Sequence, residues 1–234
     1  MILDANGLVV FEQCAFPGSI GDSCAETSRL VTLQSFLDKK VISDLSLFVT
    51  PQGIVRYPVR SALGTSPWGT SDTSSDQVAP LISALALSNP QLCHTVLQQI
   101  AANDFKTGNG QLVELGLLAN MERAVKYWDQ PICDLAILGQ ALIFCLPFAW
   151  NPNATLSPST WFVSASTQTS GYLNFINCLA FARKKHWTFP CWLATKVVSS
   201  KKALKMVQAY FKPEPDVQWY LDLYVQALPK IWGD

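Results

Sequence analysis

Apolar residues recur at helical spacing along most of this chain. Leu30, Leu33, Phe36 and Leu37 give one apolar face to a helix predicted from about Ser23 to Leu37. Ser23 followed by Glu26 has capping-box spacing at its start. The same period predicts helices near 76–87, 90–102, 111–127, 131–146, 171–185, 189–198, 200–211 and 216–230. Asn89-Pro90, Thr107-Gly108-Asn109-Gly110, Gln130-Pro131, Pro147 and Pro213-Glu214-Pro215 separate them. Before residue 61 the pattern differs. Residues 1–20 read as irregular or partly extended. Leu47 to Val49 and Ile54 to Val59 read as two short strands about the turn Thr50-Pro51-Gln52-Gly53. Residues 61–75 form a Ser/Thr/Gly/Pro-rich loop carrying Trp68, and 151–170 a second polar loop carrying Trp161 and Phe162.

This pattern implies a mainly α chain, one domain over 1–234, with a small β-hairpin near residues 46–60. Its helices can pack as a bundle or wrap into an α/α toroid.

Composition changes that picture in one respect. The chain is 49% hydrophobic and only 15% charged, which suits a large core or extensive subunit contacts. Formal net charge is zero, so no broad attraction to nucleic acid is expected. Residues 1–117 hold 6 Lys/Arg against 10 Asp/Glu, and residues 118–234 hold 11 against 7. The positive excess lies largely between Arg183 and Lys212, either as a solvated helix face or as a contact for an acidic partner. The seven cysteines are odd in number and lack C-x-x-C spacing, which suits buried free thiols in a reducing compartment. Asp4 and Glu12 interrupt any leader-like start, and the apolar run Leu135 to Trp150 is too short to span a bilayer comfortably. No membrane insertion is expected.

Candidate chemistry gathers at two loop-to-helix junctions. Gly21-Asp22-Ser23-Cys24-Ala25-Glu26 precedes one helix and Thr73-Ser74-Ser75-Asp76-Gln77 precedes another. Asp22 and Asp76 can cap orphan N–H groups, or act as paired carboxylates across a glycosidic bond. A carboxylate held by helix N–H groups has a depressed pKa, which disfavours a general acid. Arg29, Arg56 and Arg60 can bind a ligand carboxylate or hold the acidic junctions by pairs such as Arg29–Asp76 and Arg56–Asp22. Trp68 and Trp161, in long loops, are the tryptophans best placed to stack on a sugar or a protein surface. Cys24 sits in a first helical turn where the dipole favours a thiolate, with only His94 and His186 as candidate bases, and Cys93-His94 has no metal-ligand spacing with other residues.

Gly21, Asp22, Ser23, Thr27 and Arg29, then Pro51, Gly53, Arg56 and Pro58, then Ser74, Asp76, Gln77 and Pro80 form an ordered set. Together they resemble a group of bacteriophage virion and tail-associated proteins over residues 3–87. Such proteins are similar to α/α-toroid carbohydrate-active folds. The resemblance implies a structural or interaction component of a tailed-phage virion, made in the host cytoplasm and placed at a tail tip or fibre. Other tail subunits and a host surface glycan would be its partners, with Asp22, Arg29, Arg56, Trp68, Asp76, Gln77 and Trp161 as ligand-binding residues. It also implies an alternative, a glycoside hydrolase or lyase using Asp22 and Asp76. The chain departs from the pattern at Ser74-Ser75, where a Thr-Arg pair would supply a basic partner to Asp76. No metal or organic cofactor is expected.

Overall fold

A computed structural model describes residues 2–10, 23–56, 73, 75–103, 198–211 and 217–234, with single positions 173, 176, 177, 179–181, 183, 184, 192, 195 and 196 between them. The helices expected near 111–127 and 131–146 lie outside the described residues, as do Asp22, Arg60, Trp68 and Trp161. The protein is mainly α.

The chain begins with an antiparallel ladder of β1 (Ile2–Leu3) and β2 (Val9–Val10), within the stretch expected to be irregular or partly extended. Asp4 turns it, accepting from the N–H groups of Asn6 and Leu8 at 2.9 Å each. Gly7, at φ 73°, lies so close to the Ile42 carbonyl that a Cβ would fall 2.6 Å from its oxygen.

Helix α1 (Ser23–Phe36) follows. Its end is a Schellman arrangement: Asp38 N–H donates to the Ser35 carbonyl at 3.2 Å and Lys39 N–H to that of Gln34 at 2.8 Å. Asp38 takes the left-handed conformation, φ 56°, that this motif usually gives to glycine. Residues Leu45–Phe48, of which Leu47 and Phe48 were expected to open a strand, form a 3-10 turn because the Asp44 carboxylate accepts from Ser46 N–H and caps it. The hairpin is therefore shorter than expected, β3 (Val49–Thr50) against β4 (Gly53–Ile54).

Helices α2 (Ser75–Ser88) and α3 (Pro90–Ala102) run to within a residue or so of the expected bounds. Asn89 caps α3 through its side chain, accepting from Leu92 N–H, and Pro90 occupies a first-turn position where no N–H is needed. The described residues from 173 to 184, and 192, 195 and 196, are helical, within the expected elements. Helix α4 (Ser200–Phe211) and helix α5 (Gln218–Trp232) close the chain, α5 ending at Gly233 in the left-handed conformation.

Helix α1 lies between two apolar clusters. Leu30 and Leu33 join Tyr220, Tyr224, Leu228 and Ile231 of α5, with Val207 and Phe211 of α4. Cys24 and Val31 join Phe48 and the α2 residues Leu81, Ile82 and Leu85. Burying each large aliphatic side chain contributes about 1.5–3 kcal/mol. Because both sides of α1 are covered, every residue from Ser23 to Gln34 is buried, polar ones included. Burial thus extends well beyond the one apolar face expected for this helix.

Candidate functional site

The start of α1 meets the β4 exit through backbone atoms. Cys24 N–H donates to the Arg56 carbonyl at 2.9 Å, which satisfies one of the orphan donors of the first turn. The Arg56 backbone is thus brought to the first turn of α1, while Asp22, its expected side-chain partner, lies outside the described residues. Thr73, just ahead of α2, donates its hydroxyl to the Ile54 carbonyl at 2.7 Å and is buried. The three segments singled out in the sequence therefore converge around the hairpin and the first turns of two helices.

Their polar side chains are spent internally. Arg29 and Glu26 are both 0% exposed and form an ion pair, the Arg29 Nη1 donating to Glu26 Oε1. Tyr220 of α5 closes the group. Its hydroxyl lies 3.1 Å from the Glu26 carbonyl and 3.2 Å from Glu26 Oε2, so one O–H is shared between two acceptors on α1. Tyr224 packs edge-on against Tyr220, with centroids 5.4 Å apart, and Phe211 does the same at 5.1 Å. Burial, reinforced by the neighbouring phenol and the Glu26 charge, pushes the Tyr220 hydroxyl well above its ordinary range. Burial likewise raises Tyr224. The Tyr220 phenol stays protonated and donates, while the Tyr224 hydroxyl is buried without a hydrogen-bond partner.

Thr27 is also turned inward, its Oγ1 accepting from Val9 N–H at 2.9 Å and tying β2 to α1. Ser23 does not act as the expected cap: its hydroxyl is buried with no hydrogen-bond partner. Glu26, the other half of the predicted capping box, directs its carboxylate to Arg29 and Tyr220.

The sequence-predicted residues among those described can now be placed. Arg29 is sealed beside Glu26, one turn along its own helix. Gln77 is buried in the first turn of α2, and Asp76 belongs to the same turn, its side chain outside the described atoms. Arg56 is partly buried at the end of the hairpin. Cys24 and Cys93 are free, buried thiols. Desolvation pushes the Cys93 thiol up to about 12, and it points at the Ile82 carbonyl at 3.7 Å. Such a thiol is not a nucleophile at neutral pH. Among the described residues no group of three or more His, Cys, Asp or Glu side chains could hold a metal ion. No helix among them is long and apolar enough to cross a membrane.

The open concavity lies at the other end of α1, about 20 Å away along a helix of this length. It has a volume of about 570 Å³ and is bordered by Ser35, Asp38, Val41, Asp44, Leu85 and Lys184. Lys184 Nζ pairs with Asp38 Oδ1 at 2.8 Å and donates to the Ser35 carbonyl at the end of α1. That ammonium holds the Asp38 carboxyl below its usual range. Asp44 caps the 3-10 turn, Asn89 caps α3 and Ser88 bonds to the Ala84 carbonyl, so the polar rim serves the ends of elements.

Sequence reasoning missed Tyr220 and the Asp38–Lys184 pair. Tyr220 sits 194 residues from Glu26, and Lys184 sits 146 from Asp38. The signals that existed were local: a tyrosine at core spacing in the last helix, and an aspartate just past a helix end. No protein-family model, no curated protein and no solved structure matches this chain.

Proposed function

We propose that this chain is a non-enzymatic component of a tailed-phage virion, working by contact with other subunits or a host surface glycan at a tail tip or fibre. The observation that carries this reading is the sealed Glu26–Arg29–Tyr220 group. Arg29 and Thr27 belong to the set of residues behind the resemblance, and both bind other parts of the same fold. An arginine that is 0% exposed and paired with a neighbouring carboxylate builds architecture and meets no substrate. The low charged fraction supports the same reading, since an assembled protein covers much of its surface with neighbours.

The test is the composition of purified particles. Virions banded from a lysate producing this chain are digested and quantified by mass spectrometry. The expected result is the chain at a fixed, low copy number per particle, retained after washing at high salt. Its absence from intact particles overturns the proposal. Cleavage of host surface polysaccharide by the purified chain, lost in both Asp22→Asn and Asp76→Asn with unchanged melting, would replace it with the glycosidase reading.

A further inference from the structure

Acidic residues are absent from Leu135 to Pro213, a run that contains eight lysines and arginines. The rest of the chain carries nine basic residues against seventeen acidic ones, a formal charge of −8. Zero net charge thus hides two opposite charges of equal size.

The described part of the basic run includes α4. Ala203, Val207 and Phe211 face the core at intervals of four, while Lys201 and Lys205 stand exposed on the other side. These two lysines are one turn apart on the same face. Just ahead of α4, Lys196 is exposed with its Nζ 5.6 Å from the ring centroid of Trp192, itself 45% exposed. On the neighbouring helix α5, Asp222 accepts from the Gln218 side chain and Asp234 from the Ser200 hydroxyl. Among the described residues no carboxylate forms an ion pair with Lys196, Lys201 or Lys205. An ordinary solvated helix intersperses both signs of charge, and this one does not.

We infer that the Lys201–Lys205 face of α4, with Lys196 and Trp192 beside it, docks against the acidic part of a second copy of this chain. The inference rests on the reading of the chain as an assembling component and names its partner. Charge complementarity selects that partner, because the sequence outside the basic run carries a formal −8 against the +8 within it. A long phosphate-bearing polymer fits less well, since the remaining −8 repels it. Donor and acceptor surfaces differ, so the contact is head to tail, the geometry that closes into rings or extends into filaments. Trp192 supplies the kind of large, amphipathic anchor that concentrates binding energy in protein interfaces.

The experiment is sedimentation velocity of the purified full chain over a concentration series. At about 20 mM salt the expected result is oligomers that dissociate at about 500 mM, where screening is nearly complete within a few ångströms. The double variant Lys201→Glu/Lys205→Glu should weaken self-association by at least about tenfold while leaving the circular dichroism melt unchanged. Mixed with a labelled wild-type chain, that variant should still be bound, because its own acidic residues are unchanged. A chain that is monomeric at every salt concentration overturns the inference, as does a variant that self-associates normally. Binding of a polyphosphate by a monomeric chain also overturns it. If the chain is found in particles yet stays monomeric alone, the docking inference falls and the proposed function stands.

Discussion

Glu26 and Arg29 show how little a residue's type says about its task. Three positions apart on one helix, they would be a weak surface pair in water, contributing about 0.3–0.5 kcal/mol. At 0% exposure the same pair is unlike that. Removing one side chain of a buried ion pair costs about 3–5 kcal/mol, whereas replacing both with apolar side chains costs far less. Arg29→Met and Glu26→Gln should therefore each lower stability by about that amount in urea unfolding. The double variant Glu26→Gln/Arg29→Met should recover much of the loss. If the two single effects simply add, the pair is not coupled and the picture of a sealed ion pair is wrong. Tyr220 completes the group from α5, so the pair also fixes where the C-terminal helix docks. That contribution is one of geometry: a shared donor 3.1 and 3.2 Å from two Glu26 oxygens tolerates little sliding of α5 along α1.

At the scale of elements, helix ends are where this chain was most readable and also where it surprised. Asn89-Pro90 signals the α3 start by local chemistry, and the structure uses both residues for that purpose. The end of α1 obeys a local rule with an unexpected residue, since Asp38 occupies the left-handed position. Lys184 explains the choice, because its ammonium binds both the Asp38 carboxylate and a carbonyl of the last turn of α1. A cation beside a helix C-terminus also complements the dipole. The pH dependence follows from the direction of the Asp38 shift. The folded carboxyl titrates below its ordinary value of 3.8, chiefly through the Lys184 hydrogen bond and charge. Its contribution is present above that value and is lost as pH falls through the folded pKa. The melting temperature of the wild type should therefore exceed that of Asp38→Asn at pH 7, and the gap should close on acidification below about pH 4. A gap that persists at lower pH would show that the carboxylate charge plays no part.

At the scale of the whole molecule, α1 is a central polar helix rather than an amphipathic surface one, and the two clusters flanking it should open together. Cys93 and Cys24 report on this, since both thiols are buried. Alkylation at pH 8 followed by peptide mass mapping should leave Cys93 protected by more than about a thousandfold relative to urea-unfolded chain. Labelling of native Cys93 at the rate of a free thiol would mean that the α2–α3 cluster opens independently of the rest.

The mainly α character, the bounds of α2, α3, α4 and α5, and the turn within the hairpin were all legible from residue order. Each rests on forces that act within four residues: side-chain period, backbone hydrogen bonds and capping. Reading the polar residues of α1 as caps or ligands took their helix to have one apolar face. Packing between α2 and α5 removes that premise, and with it the meaning of Glu26, Thr27 and Arg29. Residue order alone therefore established which segments coil into helices. Only tertiary packing decided that an arginine and a glutamate from the first helix would be closed over by a tyrosine from the last, because burial depends on neighbours far away in the chain and sets the strength of every charge it encloses.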